Sequence, residues 1–290
     1  MDIQTLKYFV AIVEEGTISA AAKLLHTSQP SLSRQIMALE EELSTTLFNR
    51  GNRTITLTES GELLYKRAKE LITLFARIKP EIHETSQITG DLYIGAGESI
   101  GIQIIAKVIK KITAEHHDVR VHFYSGNAED LDYKMQNGIL DFAVVLNTAS
   151  SKYDFLQLPA KDTWGILMQA SDPLAQYDAI TPRLLTGRKL ILSSQAEARK
   201  NLALWFGKPI EPQQIIGTYN LIFNASLLVQ EGLGLAIGID HLVSPTDENQ
   251  LVFRPLANYE NTSLNIIWKP DRERSSIAEL FLNELKQVIN

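Results

Sequence analysis

The chain has 290 residues, 44% of them hydrophobic and 21% charged, which excludes a disordered or fibrous chain and suffices for two or three domains. It contains no cysteine, so a disulfide framework and thiolate chemistry are excluded and a reducing compartment is expected. The formal net charge of −6 argues against a protein that coats nucleic acid indiscriminately.

The opening MDIQTLKYFV has no basic region ahead of an apolar core, and no apolar run approaches the roughly 18 residues of a membrane span. A cytoplasmic protein without a membrane partner is therefore expected. Leu6, Phe9, Val10 and Val13 form a helical stripe that ends near Gly16, a suitable C-terminal cap. Thr17 can cap a second helix carrying Ile18, Ala21, Ala22 and Leu25 on one face. A turn at His26 and Thr27 leads to Ser28, a preferred N-cap, with Pro30 in the first turn, where its missing N–H costs little. Leu32, Ile36, Leu39 and Leu43 then recur at helical spacing.

The rest of that third helix opens with Gln29, Ser31, Ser33, Arg34 and Gln35, short or planar hydrogen-bonding groups with a single charge. A helix-turn-helix places such residues in the major groove. Arg34 suits guanine O6 and N7, Gln29 or Gln35 suits adenine N6 and N7, and Pro30 and Ser31 let the backbone come close. A plain three-helix bundle with a polar face is the alternative at this point. "TLFNRGNRTITLT" then reads as a two-stranded wing with Arg50, Asn52 and Arg53 near its tip, able to meet phosphates or a minor groove. Over residues 1–60, Lys7, Lys23, Arg34, Arg50 and Arg53 stand against Asp2, Glu14, Glu15, Glu40, Glu41, Glu42 and Glu59. Any DNA binding must rest on where the charges sit.

From Thr58, a suitable N-cap, Gly61, Leu64, Ala68, Leu71, Phe75, Ile78 and Ile82 step by three and four, the pattern of a heptad seam between paired helices. Pro80 marks a kink or an end. A helix from Thr58 to about Thr85 would be about 40 Å long, enough to space two recognition helices for half-sites roughly 34–36 Å apart. The alternative is an amphipathic helix packed on its own domain.

"GDLYIGAGES", "VRVHFYSGNAEDL" and "GILDFAVVLN" repeat strand, turn and helix, which predicts an open parallel sheet with ligands at strand ends and helix N-termini. A second lobe starts near Thr163 with "TWGILMQ", "KLILSS" and a helix "LIFNASLLVQEGLGLAIGI". The chain returns through "LNIIWKPD" and the final helix "SSIAELFLNELKQVI". Two lobes joined by two crossings make a hinged cleft. No catalytic set emerges: His116 and His117 fit a solvated helix end, the other histidines lack spaced partners, and Gly95, Gly97 and Gly101 miss a dinucleotide fingerprint by one residue. Neither an enzyme, a cofactor nor a metal is expected.

"AAAKLLHTSQPSLSRQIMALEEEL", the "TLFNR" and "ITLTESGELL" that follow, and the overall length resemble the LysR-type bacterial transcriptional regulators. The resemblance implies a multidomain α/β chain: a winged helix-turn-helix over 1–58, a linker helix for dimerisation over 59–89, and an effector-binding domain over 90–290 like the periplasmic binding proteins. Within that domain the lobes are expected at about 90–161 with 267–290, and at about 162–266. It also implies double-stranded promoter DNA read at partly palindromic sites, a small-molecule effector in the cleft, a homodimer or homotetramer, and RNA polymerase as a partner. Residue by residue, DNA contacts fall on Thr27, Ser28, Gln29, Pro30, Ser31, Ser33, Arg34, Gln35, Arg50, Asn52 and Arg53. Dimer contacts fall on Leu64, Ala68, Leu71, Phe75 and Ile78. Effector contacts fall on Glu98, Ser99, Ile100, Asn127, Asn147, Ser193, Ser194, Asn220 and Phe223. "LLVQEGLGLAIGI" matches the family's Val-x-x-Gly-Leu-Gly pattern but has Gly238 and Ile239 where many members have Leu-Pro. Glu98, if it faces the cleft, repels a carboxylate effector, whereas helix N-termini favour one.

Overall fold

A computed structural model describes residues 1–50, 55–82, 88–146, 151–243 and 250–289, with the backbone alone at Arg50 and over 77–82. The chain divides into two units, 1–86 and 87–290, and each is described by itself. The first unit runs α1 (Ile3–Glu15), α2 (Ile18–Leu24), α3 (Gln29–Glu42), β1 (Phe48–Arg50), β2 (Ile55–Leu57) and α4 (Glu59–Ile82). Local chemistry sets these boundaries. The Asp2, Thr17 and Ser28 side chains accept from the amides of Thr5, Ala20 and Ser31, and Gly16 closes α1 in the left-handed region at φ 70°. Leu6, Phe9, Ile12, Ala21, Ala22, Leu32, Ile36, Leu39 and Leu47 form the core. Leu43 leaves the expected stripe: it is the C-cap of α3 and stays exposed.

β1 and β2 pair antiparallel, Phe48 with Leu57 and Arg50 with Ile55. Asn52 and Arg53, and the side chain of Arg50, lie outside the described residues. Glu40 accepts from the Leu47 and Phe48 amides at 2.8 and 3.3 Å and ties the start of β1 to α3. Such a charge-assisted bond is among the stronger polar contacts.

The heptad reading of α4 needs correction. Thr58 caps the helix through the Gly61 amide, and the helix continues past Pro80 to Ile82. Ala68, assigned by the resemblance to a dimer seam, is 0% exposed in the core of its own unit, with Leu64, Tyr65 and Ile72 packed around the same core. Lys69 and Tyr65 both bond Glu14 of α1 at 3.1 Å. Leu71 and Phe75, 47% and 49% exposed, remain available to a partner, as does Leu63; the Ile78 side chain lies outside the described residues. A repeat of apolar residues cannot distinguish α1 from a second copy as its cover.

Gly61 is where α4 meets the strand approach most closely, since a Cβ there would stand 2.1 Å from the Leu47 carbonyl oxygen and 2.9 Å from Leu57 Cδ2. Gly61→Ala gains about 1 kcal/mol of helix propensity but overpacks against backbone, at about 1–3 kcal/mol or more. The variant is expected to be less stable than the parent by about 1 kcal/mol or more in urea denaturation; equal or higher stability would contradict the packing.

The second unit contains β3 (Gly90–Ala96), α5 (Ile102–Glu115), β4 (Val119–Ser125), α6 (Ala128–Gln136), β5 (Phe142–Leu146), β6 (Asp154–Asp162), β7 (Trp164–Gln169), β8 (Leu190–Ser193), α7 (Ala196–Phe206), β9 (Ile215–Tyr219), α8 (Ile222–Gln230), β10 (Leu235–Ile239), β11 (Leu251–Pro255), β12 (Thr262–Trp268) and α9 (Ser276–Ile289). Two sheets result, in the orders β4-β3-β5-β12-β6 and β11-β7-β10-β8-β9. Both are mixed, which corrects the expected parallel sheet. β12 runs antiparallel to β5 and β6, and β7 antiparallel to β10 and β11. The return crossing also comes earlier than expected, because β12 already pairs with the first sheet at Thr262. The segment read as one helix to Ile239 is α8 followed by β10. Gly232 at φ 76° ends the helix, with the Leu233 amide reaching back to the Leu228 carbonyl.

The chain thus passes between the sheets at 162–164 and again at 256–262. Side chains strap these crossings: Trp164 Nε1 donates to Thr262 Oγ1 at 2.8 Å and the Thr163 hydroxyl to Asn261 Oδ1 at 3.3 Å. Beside them Asp162, only 2% exposed, accepts from Ser99 Oγ at 2.9 Å through Oδ1, while its Oδ2 has no hydrogen-bond partner among the described residues. Burial pushes the Asp162 carboxyl above the usual value of 3.8, against the Ser99 hydrogen bond and the charge of His241, which pull it down. A raised folded pKa means that the native chain holds this proton more tightly than the unfolded chain. Its stabilisation is complete below pH 3.8 and is lost as pH rises through the folded value. Asp162→Asn removes that dependence, so variant Tm minus parent Tm should shrink as pH falls from about 7 to about 4. A difference that stays flat, whatever its offset, would contradict the assignment.

Candidate functional site

Two surfaces carry the residues singled out from sequence, one on each unit. On the first, burial of Leu32, Ile36 and Leu39 turns the opposite face of α3 outward. Gln29, Pro30, Arg34 and Gln35 are exposed, and Thr27, Ser31 and Ser33 are half-buried. Several residues of this stretch also make local hydrogen bonds. The Ser28 hydroxyl caps the helix, Gln29 Oε1 accepts from Ser19 Oγ at 3.1 Å, and the Thr27 amide donates to the Ala22 carbonyl. Arg34 Nε donates to the Pro30 carbonyl at 3.3 Å, which lays the stem along the helix. Met37, one turn beyond Arg34 and also exposed, joins this face. Sequence reasoning passed over it because it looked for hydrogen-bonding groups, although the i, i+3 spacing from Arg34 marks it.

In the second unit a cavity of about 300 Å³ lies between the two sheets. Of the expected effector residues, Glu98, Ser193 and Asn220 line it. The others do not. Ser99 is spent on Asp162 and on accepting from the Gly101 amide, and Asn127 caps α6 through the Asp130 amide. The Ser194 amide donates to the Tyr219 carbonyl. Ile100 is exposed and Phe223 is 63% exposed, both off the wall. Asn147 lies outside the described residues.

Tyr153, Trp164, Tyr219 and Tyr259 contribute most of the ring surface, and Asp132, Gln195, Glu197 and Asn201 most of the remaining polar groups. None of these was read from the sequence, where each looked like ordinary core or helix surface. Gly238 has a visible role here. A Cβ at that position would meet Ile222 Cδ1 at 2.7 Å and Tyr219 Oη at 3.0 Å, so glycine makes the room that lets the Tyr219 hydroxyl donate to the Ile237 carbonyl at 2.6 Å.

Glu98 crosses the cleft. Its Oε2 accepts from the Ile222 amide at 2.6 Å, so a carboxylate from the first sheet's side occupies the N-terminus of α8, where the helix leaves donors unsatisfied. Burial, then the Glu98 charge, raises the Tyr219 hydroxyl well above the usual phenol value. Burial, then the hydrogen bond to Asp132, does the same for Tyr153. Both hydroxyls therefore remain protonated donors. Tyr153 Oη donates a hydrogen bond to Asp132 Oδ1 at 2.7 Å. The arrangement can enclose and orient a small molecule through aromatic faces and a few polar groups. Among the described residues no cluster of three or more metal-ligating side chains forms, and no helix is long and apolar enough to cross a membrane.

Comparison with known proteins bears on both surfaces. A family model described as "Bacterial regulatory helix-turn-helix protein, lysR family" matches residues 3–62, and one described as "LysR substrate binding domain" matches residues 85–290. The chain is 29% identical to a "Probable RuBisCO transcriptional regulator" of Synechocystis sp., over 98% of this chain and 85% of that protein. It is 26% identical to the "Hca operon transcriptional activator HcaR" of Escherichia coli, over 96% and 95%. Its fold is similar to that of CbnR, a LysR family transcriptional regulator, alone (TM-score 0.73, 17% identity, 100% of both chains) and with its target DNA (0.72, 18%, 99% and 100%). With the second model alone spanning more than half of its length, the chain belongs to the LysR family of bacterial transcriptional regulators.

Proposed function

We propose that this regulator reads its promoter with the exposed face of α3, Arg34 at the centre, and that a small molecule in the cleft of the second unit adjusts that binding. One observation carries the DNA half of this reading. A helix capped by Ser28 buries Leu32, Ile36 and Leu39 while leaving Pro30, Arg34 and Gln35 exposed, as a recognition helix requires. Residues 1–58 serve as the DNA-binding part and 59–89 as the linker. Residues 90–290 serve as the effector part, with the second lobe ending near Asn261. CbnR has been solved with its target DNA, and partly palindromic sites would suit two copies joined through Leu63, Leu71 and Phe75 of α4. In this reading the protein acts in the cytoplasm as a homodimer or homotetramer, with RNA polymerase as its downstream partner and no catalysis of its own. Coupling requires only that the effector bind one arrangement of the copies more tightly than another.

Two variants separate base reading from phosphate contact. Arg34→Ala should weaken the cognate site by about 1–3 kcal/mol and random DNA much less, measured by fluorescence anisotropy; equal losses on both would remove Arg34 from base reading. Arg53→Ala should weaken both alike and reduce the slope of log K against log salt by about 0.9, one phosphate. An unchanged slope would take Arg53 off the DNA backbone.

A further inference from the structure

We infer that the molecule received by the cleft is a small organic cation, an amine or quaternary ammonium compound with some apolar surface, and not a carboxylate. The inference rests on the effector reading above and assigns the charge that reading leaves open. The charged groups on the wall are Glu98, Asp132 and Glu197, and no Lys, Arg or His lines it among the described residues. The segments 147–150 and 244–249 hold no basic residue in their sequence. His241, next to the lining residue Leu242, is exposed and faces Asp240 at 3.6 Å.

The counter-argument lies in the N-termini of α6, α7 and α8, which border the cavity and favour anions. The protein has already answered each of them with its own groups. Asn127 caps α6, Glu197 sits in the first turn of α7, and Glu98 accepts from the first amide of α8. Three full negative charges outweigh three helix ends worth about half a positive charge each. A carboxylate ligand would have to displace Glu98 and would then face the other two acids. A cation pairs with them and leaves the Glu98 bond to α8 intact.

The apolar part of the wall fits the same ligand. Trp164 and Tyr259 rings lie 6.1 Å apart at 46°, and Tyr153 adds a third ring to the lining. Ring faces attract ammonium groups at about 0.5–2 kcal/mol each, whereas they offer a carboxylate nothing. Aromatic faces and carboxylates lining one cavity are a combination that suits an alkylammonium group.

Two shape-matched sets that differ in charge test this on the full chain at about pH 8, where an unperturbed histidine is neutral: benzylamine, benzyl alcohol and benzoate, and putrescine, 1,4-butanediol and succinate. Affinities are read by titration calorimetry and thermal shift. The amine of each set is expected to bind at least about ten-fold more tightly than its carboxylate, because the wall's acids attract the one and repel the other. Glu197→Gln should weaken the amine about three- to ten-fold and leave the alcohol unchanged. Carboxylates that bind as well as the amines overturn the charge assignment while leaving the cleft an effector site. An amine affinity indifferent to Glu197→Gln and to Glu98→Gln overturns it as well. If no member of either set binds while promoter binding is intact, the effector reading fails and takes this inference with it.

Discussion

The burial of Leu32, Ile36 and Leu39 is the constraint on which the DNA-facing geometry depends. Each side chain withdrawn from water contributes about 1.5–3 kcal/mol, so rotating α3 to present another face would cost several kcal/mol. No polar contact on the outer face comes close to that. The apolar stripe therefore dictates which residues look outward: Pro30, Arg34, Gln35 and Met37. The Ser28 cap sets where the helix begins, and Glu40, on the inner side, ties it to the start of the wing. If α3 reads the promoter as proposed, its donors are placed before the duplex arrives, which favours discrimination among bases.

The second unit works by a different constraint. Its chain crosses twice between two sheets, and the space between them is walled by groups that each crossing brings along: Trp164 on the way out, Tyr259 on the way back. Glu98 joins the two sides through the α8 amide. A cleft already bridged by one hydrogen bond and strapped by Trp164–Thr262 and Thr163–Asn261 has a defined closed form. Under the proposed reading, a ligand acts by adding to that bridge or competing with it, which is the differential affinity that a regulator needs.

What could be read from the sequence was what is decided locally. Gly16, Thr17, Ser28 and Thr58 announce helix boundaries through their own backbone or hydroxyl chemistry, and all four sit where expected. What could not be read depends on partners distant in the chain. The stripe on α4 needs a cover, and the sequence alone cannot say that α1 covers Ala68. Ser99 looks like a ligand group until Asp162, 63 residues on, is found beside it. Tyr153 comes from the β5–β6 connection, Tyr219 from the end of β9 and Tyr259 from the β11–β12 connection, so no window of sequence shows them converging. Glu98, which the sequence places in the cleft only conditionally through the resemblance, lines it and bonds the α8 amide.

The central claim is that α3 recognises one sequence and does not merely adhere to DNA. The most direct measurement is the affinity of the full chain, at one fixed physiological salt concentration, for the duplex upstream of its own coding sequence and for a scrambled duplex of equal length and composition. A preference of about 10³-fold or more is the result this account predicts. Equal affinity for the two duplexes would contradict it.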